Sequence, residues 1–374
     1  MKTFIVIGAG ILGASSAFHL AKTGAKVYLI DRNEPGQATD AAAGIICPWL
    51  TQRRNQAWYK LAKEGAKYYS TLIQLLEEDG EMNSGYKKVG AISIHTDEMK
   101  LDKMEERAYK RKEDAPELGE ISRISSSSAK ELFPPLADNY SAVHISGAAR
   151  VNGRALRQSL VNAARKNGAV IIQGNAQLIY NAGKVIGAKV EEESFFADQV
   201  IVTAGAWAHE LLKPLGVNFL VSSQRGQIVH LRLNDYDTSN WPVIIPPNNQ
   251  YILALEDGSI VIGTTHEDDK GFDRIVTVGG LHEIFDKALS IAPDLYDCEV
   301  VETRVGFRPF TPGFLPVIGP LPGFEGVLIA NGLGASGLTI GPYLGLELAK
   351  LALGKSVDID LSLYDVGGAI ELLK

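Results

Sequence analysis

The sequence predicts an α/β protein in which a Rossmann-like domain is interleaved with a smaller α+β domain built on a mostly antiparallel sheet. Three observations predict it. Strand–helix patterns lie near both ends of the 374-residue chain and again in its middle. A hairpin-rich stretch around residues 220–300 separates the last two of them. A glycine-rich turn joins the first strand to the first helix at the start of the chain. Two interleaved units explain this order better than two consecutive ones.

Thr3–Ile7 reads Thr-Phe-Ile-Val-Ile, a short apolar run suited to a strand buried on both faces of a parallel sheet. Ile11–Lys22 is a helix with Leu12, Ala17, Phe18, Leu20 and Ala21 on its apolar side and Gly24 as its stop. Lys26–Ile30 is the second strand and ends at Asp31. Ala57 to about Leu76 is a long amphipathic helix, and Lys88–His95 a strand. Asp97–Asp114, dense in both signs of charge, reads as a solvated helix. Ser128 with Glu131 matches a capping box that starts the next helix. Gly153–Asn167 is helical, with Arg165 and Lys166 near its end and Gly168 as the stop. Ala169–Gln173 and Phe195–Thr203 are strands. Gln227–Leu233, Gln250–Leu255 and Ser259–Thr265 follow as strands, with Glu-Asp-Gly turning a hairpin between the last two. Thr339–Leu353 is the last strong helix.

Composition closes off several classes of function. Hydrophobic residues at 45% and charged residues at 22% are ordinary for a globular chain and exclude general disorder. A net charge of −7 without a dense basic stripe argues against nucleic acid as a partner. Cys47 and Cys298 are far apart, so neither a disulfide framework nor a zinc site is expected. No apolar run reaches the roughly 18 residues of a membrane span. Phe4–Ala14 is apolar but broken by Gly8, Gly10 and Gly13, unlike a secretory signal, and a cytoplasmic protein is expected. Hydrolytic signatures are missing: there is no G-x-S-x-G, no H-E-x-x-H and no metal-spaced His/Asp cluster.

Gly8-Ala-Gly10-Ile-Leu-Gly13 follows a strand and opens a helix, and an acid, Asp31, ends the second strand. In that context G-x-G-x-x-G is a dinucleotide fingerprint. Gly8 permits the tight turn, Gly10 lets the backbone approach a pyrophosphate, and Gly13 lets the helix pack on the strand. The helix N-terminus presents unpaired N–H groups to that pyrophosphate. Asp31 accepts hydrogen bonds from ribose hydroxyls and disfavours a 2′-phosphate.

The fingerprint alone does not separate NAD from FAD. Three further segments favour FAD. Gln37–Ile46 is small and polar, then apolar, and can lie along an extended cofactor. Val202–Trp207 runs a strand into a small-residue turn. Asn331–Pro342 is a second glycine-rich loop opening a helix, and a helix N-terminus suits the negative charge gathered by a reduced flavin. The expected FAD contacts are Gly8, Gly10, Ile11, Leu12 and Gly13; Asp31, Arg32 and Thr39; Ala42, Ala43, Gly44, Ile45 and Ile46; Thr203, Ala204, Gly205 and Trp207; Arg308; and Gly332, Gly334, Ala335, Ser336, Gly337, Leu338 and Thr339.

With those residues in view, the chain resembles the D-amino-acid oxidase superfamily of FAD-dependent amine oxidoreductases, which includes glycine oxidase, sarcosine oxidase and D-amino-acid dehydrogenases. The resemblance runs through Ala42–Ile46, Thr203–Trp207, Arg225-Gly-Gln227, Val261–Asp273 and the glycine-rich segment 332–342. Its most specific part is Glu302–Gly319, with Gly306-Phe-Arg308-Pro309 and Leu315-Pro-Val-Ile-Gly319. The resemblance implies a FAD-binding domain of residues 1–85, 145–222 and 300–374 and a substrate-binding domain of 86–144 and 223–299. It implies that Arg308 clamps a substrate carboxylate through two parallel N–H bonds. It places Tyr251 and His266 at the substrate. The alternatives for these three are an ion-paired arginine beside a proline turn, a core tyrosine and a polar loop histidine.

The family's cysteine that holds flavin covalently has no counterpart near Arg308, so non-covalent FAD is expected. The strand Ser259–Thr265 lacks the lysine with which sarcosine oxidase-like enzymes promote reaction with oxygen, which shades the reading toward a dehydrogenase; the electron acceptor is expected to be oxygen or a quinone or other carrier. The expected activity is oxidation of the Cα–N bond of a small amino acid by hydride transfer to flavin N5, with the imine then hydrolysed to an oxo acid. The alternatives are a hydroxy acid or other secondary amine as substrate, and a non-catalytic flavin-binding protein. A homo-oligomer is compatible with the sequence.

Overall fold

In the computed structural model of the protein every residue is described except Asp235, Asp257, Leu373 and Lys374, together with the side chain of Leu372. Two sheets organise the chain. The first grows from β1 (Thr3–Ile7), whose Phe4, Ile5 and Val6 are wholly buried because its sheet is covered on both faces, by long helices on one and by the strands Ala176–Asn181 and Lys184–Val190 on the other. α1 (Ile11–Lys22) returns the chain to β2 (Lys26–Asp31), which pairs in parallel with β1 from Thr3 opposite Lys26 to Ile7 opposite Ile30. The six strands lie in the order Val317–Pro320, Val327–Asn331, Gln199–Val202, β1, β2, Val170–Gln173. All pairings are parallel except that of the Val317–Pro320 edge strand.

α2 (Gln56–Glu78) and α3 (Gly337–Ala352) pack on α1's side of this sheet. A Cβ on Gly345 would stand 2.6 Å from Ser15 Cβ, and one on Gly341 2.7 Å from Ile11 Cγ2. The glycines of α3 therefore let it lie directly on α1. Gly337, the first of the series, has open space where its Cβ would be.

The second sheet has eight strands. β3 (Ser222–Arg232), β4 (Tyr251–Ala254), β5 (Ser259–Gly263) and β6 (Glu299–Phe310) form one half, in the order β6, β3, β5, β4. Val243–Ile245, Ala91–His95, Ser141–Ile145 and Ile121–Ile124 continue it. Only the pairing of Val243–Ile245 with Ala91–His95 is parallel. Val229, Leu231, Ile260 and Ile262 turn one face toward the helix Val278–Ile291, which buries Ile284 and Ala288 there. β6 pairs with β3 in this sheet, so 300–310, expected in the FAD-binding part, runs among the strands of the other part.

Other expectations also shift. Phe195–Thr203 is two strands, because Glu193–Phe196 pairs antiparallel in a small three-stranded sheet while Gln199–Val202 joins β1 in parallel. The break falls at Asp198, whose carboxylate accepts from Thr3 N at 2.7 Å. The helix cap is Ser125 rather than Ser128: its hydroxyl accepts from Ser128 N at 3.2 Å, so the first serine of the run takes the extended cap conformation and Glu131 is too far along to close the box. The charged helix, Glu98–Lys112, is not solvated all round, since Leu101, Met104 and Ala108 bury one stripe at helical spacing. Of the Glu-Asp-Gly turn, Asp257 lies outside the described residues.

Candidate active site

Gly8, Asp31, Gly174, Thr203 and Asn331 each stand at or just past the C-terminal end of a parallel strand. In an open α/β sheet that edge is where ligands bind. All five line one cavity of about 730 Å³, which extends to the residues of β4, β6 and the β5 exit.

The glycine turn is dictated by close contacts. Gly8 has φ +104°, and a Cβ there would meet Thr203 O at 2.5 Å. A Cβ on Gly13 would fall 1.8 Å from Gly8 O. At Gly10 the nearest neighbour would be Thr39 Oγ1 at 3.6 Å, so the backbone there faces the cavity. α1 has no side-chain cap on its N-terminus and no acid in its first turn; Thr39 Oγ1 accepts from Ile11 N at 3.1 Å. α3 also begins at the cavity with no side-chain cap and no acid in its first turn. Two helix N-termini thus direct partial positive charge into the same space.

At the end of β2, Asp31 Oδ2 accepts from Ala9 N at 2.5 Å and Oδ1 from Gln37 Nε2 at 3.0 Å. Arg32 pairs with Glu34 and Glu210 at 2.9 and 3.1 Å and lies over the Trp207 ring. Every acid that lines the cavity among the described residues, Asp31, Glu34 and Glu210, belongs to this group.

The eight-stranded sheet supplies the other end. Gln224 and Gly226 of β3 stand opposite Arg308 and Gly306 of β6. A Cβ on Gly226 would lie 2.5 Å from Arg308 Nη2, so the missing side chain is what lets the guanidinium lie across β3. Arg308 donates through Nη1 to Gln224 Oε1 and Thr265 O, both at 3.1 Å, and through Nη2 to Thr264 Oγ1 at 2.8 Å. All its partners are neutral, and burial holds it below its ordinary value. The neighbouring Arg225 contrasts with it: Arg225 is 2% exposed and is paired with Glu267 at 2.5 Å and Asp273 at 2.7 Å. The alternative of an ion-paired arginine therefore fits Arg225 and not Arg308.

Tyr251, His266, Asn249 and Thr264 line the cavity around Arg308. Burial pushes the Tyr251 hydroxyl up to about 12, against the pull of the Arg308 charge. Burial, then the charges of Arg308 and Lys287, lower the His266 imidazole. Both groups are uncharged at neutral pH. Cys47 also lines the cavity, and burial raises its thiol to about 12, which makes it a poor nucleophile.

Gly13 and Ile46 do not line the cavity. Gly13 lies under the turn, and Ile46 is 1% exposed in the core. The other expected contact residues all do. Sequence reasoning missed Gly174–Leu178, Trp58, Asn249, Thr264 and Gly226. Trp58 showed only an amphipathic helix. Gly226, between Arg225 and Gln227 at the start of a strand pattern, was the one legible signal, because a glycine there can mark a close approach of another chain segment. Among the described residues no group of three or more His, Cys, Asp or Glu is placed to hold a metal ion, and no helix is long and apolar enough to cross a membrane.

This arrangement defines a flavin-dependent oxidoreductase of the two-sheet type. Residues 3–351 match the DAO family, FAD dependent oxidoreductase, and the chain belongs to that family. It is 65% identical over 371 residues to Uncharacterized oxidoreductase YurR of Bacillus subtilis (strain 168), covering 99% of this chain and 100% of the relative. It is 29% identical to a glycine oxidase of Pseudomonas aeruginosa, covering 98% and 99%. Iminodiacetate oxidase (IdaA) from Chelativorans sp. BNC1 superposes with a TM-score of 0.94 at 45% identity, covering 97% of this chain and 98% of that one. The cofactor is FAD. The open backbone at Gly10, the two helix N-termini without an acid in their first turns and the Asp31 carboxylate all fit it.

Proposed function

We propose that the protein oxidises the Cα–N bond of a small amino acid of the glycine, sarcosine, proline or D-amino-acid type, with Arg308 holding the substrate carboxylate. The observation that carries this reading is a guanidinium, partnered only by neutral groups, at the end of the cavity that lacks acids. FAD, when bound, supplies the acceptor for the hydride leaving Cα, and the released imine hydrolyses to an oxo acid. A carboxylate taken by Arg308 in a two-bond clamp fixes both position and rotation of the substrate. Tyr251, protonated at neutral pH, donates a hydrogen bond to the same carboxylate. No lining carboxylate stands near Arg308 to stabilise an ammonium, which favours the neutral amine that hydride transfer needs.

The similar proteins are named for glycine and iminodiacetate, amines one carbon from a carboxylate, which supports a substrate of that kind. The FAD contacts assigned from the sequence and the division at 86–144 and 223–299, with β6 added to the latter, go with this reading. The test is the absorption spectrum of purified protein, followed by anaerobic titration with glycine, sarcosine, proline and D-amino acids. Bleaching of the flavin by at least one supports the proposal. A flavin that hydroxy acids bleach and no amine reduces overturns it.

A further inference from the structure

We infer that Phe272 is a positioning residue for the FAD site: on a loop gripped by one face of β3, it holds the Trp207 ring against the cavity and so slows release of the cofactor. This role is independent of which substrate is oxidised.

Between β5 and the helix Val278–Ile291 the chain forms a loop, and Asp268 to Ile275 are all exposed along it. Ser223, Arg225 and Gln227 alternate along β3, so their side chains share one face of the strand. All three hold this loop. Ser223 Oγ donates to Gly271 O at 3.0 Å. Arg225 pairs with Glu267 and Asp273, and its Nη1 also donates to the carbonyls of Asp273 and Ile275, each at 3.4 Å. Gln227 Nε2 donates to Glu267 Oε1 at 2.6 Å, and its Oε1 accepts from Thr277 N at 3.0 Å. A buried ion pair adds little net stability once desolvation is counted. What the grip provides is one fixed path for an exposed segment.

Phe272 is the residue that this path presents, between Gly271 and Asp273, both of them held from β3. Its ring stacks on Trp207 with centroids 5.0 Å apart and planes 12° apart, and it meets Phe307 edge-on at 5.2 Å. Trp207 and Phe307 line the cavity, while Phe272, 47% exposed, stands behind them. Trp207 lies just past the strand Gln199–Val202 of the six-stranded sheet, whereas Phe307 belongs to β6 of the eight-stranded one. The stack therefore ties the two sheets together at the cavity wall. A ring held there in advance loses little freedom when FAD enters, which favours the bound state.

The test reads FAD release from the holoprotein, followed after dilution by the rise of flavin fluorescence with no substrate present. Phe272→Ala should release FAD about three- to tenfold faster, the range for losing one stacked aromatic pair. Phe272→Tyr keeps the stack and should restore the original rate. Asp273→Ala loosens the loop with Phe272 intact and should also speed release. The double variant should then be no faster than Phe272→Ala alone, because both changes act through one ring. A Phe272→Ala rate less than threefold above the original overturns the inference. So does a Phe272→Tyr rate as fast as that of Phe272→Ala, or additive effects in the double variant. None of these measurements reads turnover, so their failure leaves amine oxidation standing.

Discussion

Arg308→Met removes the guanidinium while keeping an unbranched side chain of similar length. Two effects must be separated. For stability, the variant loses three hydrogen bonds to neutral partners, at 2.8 to 3.1 Å, each contributing roughly 1 kcal/mol. Against that, the fold no longer holds a partly buried cation without a counter-charge. The two nearly cancel, and the midpoint of unfolding should shift by no more than about 1–2 kcal/mol. For binding, the loss is one partner of a desolvated charge pair, about 2–5 kcal/mol, or roughly 30- to 4,000-fold in affinity. The assay is anaerobic bleaching of the flavin against substrate concentration, with the flavin-to-protein absorbance ratio confirming that FAD is retained. Arg308→Lys restores charge without the fork and should recover only part of the loss. A variant that keeps its flavin and shows less than about fivefold weakening would refute the carboxylate clamp, because one lost charge-assisted pair exceeds that.

Three further outcomes follow from the same geometry. Gly13→Ala places a Cβ 1.8 Å from Gly8 O, so the turn must open; purified variant should carry little or no flavin, read from its absorbance ratio. His19 is buried, 2.8 Å from Tyr68 Oη, and burial lowers it from 6.5 to about 3. The unfolded chain binds a proton there that the folded one refuses, so stability should fall as pH drops from about 6.5 toward 3, by at most about 5 kcal/mol. His19→Gln should flatten that slope in denaturant midpoints measured across the window. Asn55 caps α2 by accepting from Trp58 N at 2.9 Å, and Asn55→Ala should cost about 1 kcal/mol in urea unfolding.

The nucleotide half of the site was legible because its signals are local. Gly8 to Gly13, Asp31 and the loop 332–339 act within a few residues of the strand or helix that presents them. The errors have local causes as well. Phe195–Thr203 reads as one strand, yet its two ends serve different sheets, and only the partners across each pairing reveal that change. The capping box at Ser128 with Glu131 matched in sequence, and only the extended backbone at Ser125 shows that the helix starts three residues earlier.

The substrate half depends on strand register. Arg308 reaches Gln224, Thr264 and Thr265 because β6, β3 and β5 lie side by side, bringing together segments 40 or more residues apart. By itself the sequence determined a Rossmann-like turn for a dinucleotide and, through Gly306-Phe-Arg308-Pro309, which arginine to watch. Only the tertiary structure decided that Arg225 is neutralised by Glu267 and Asp273 while Arg308 faces only neutral partners. The physical reason is that a charge's role depends on the charges within a few ångströms of it, and those distances are set by pairing between strands and not by spacing along the chain.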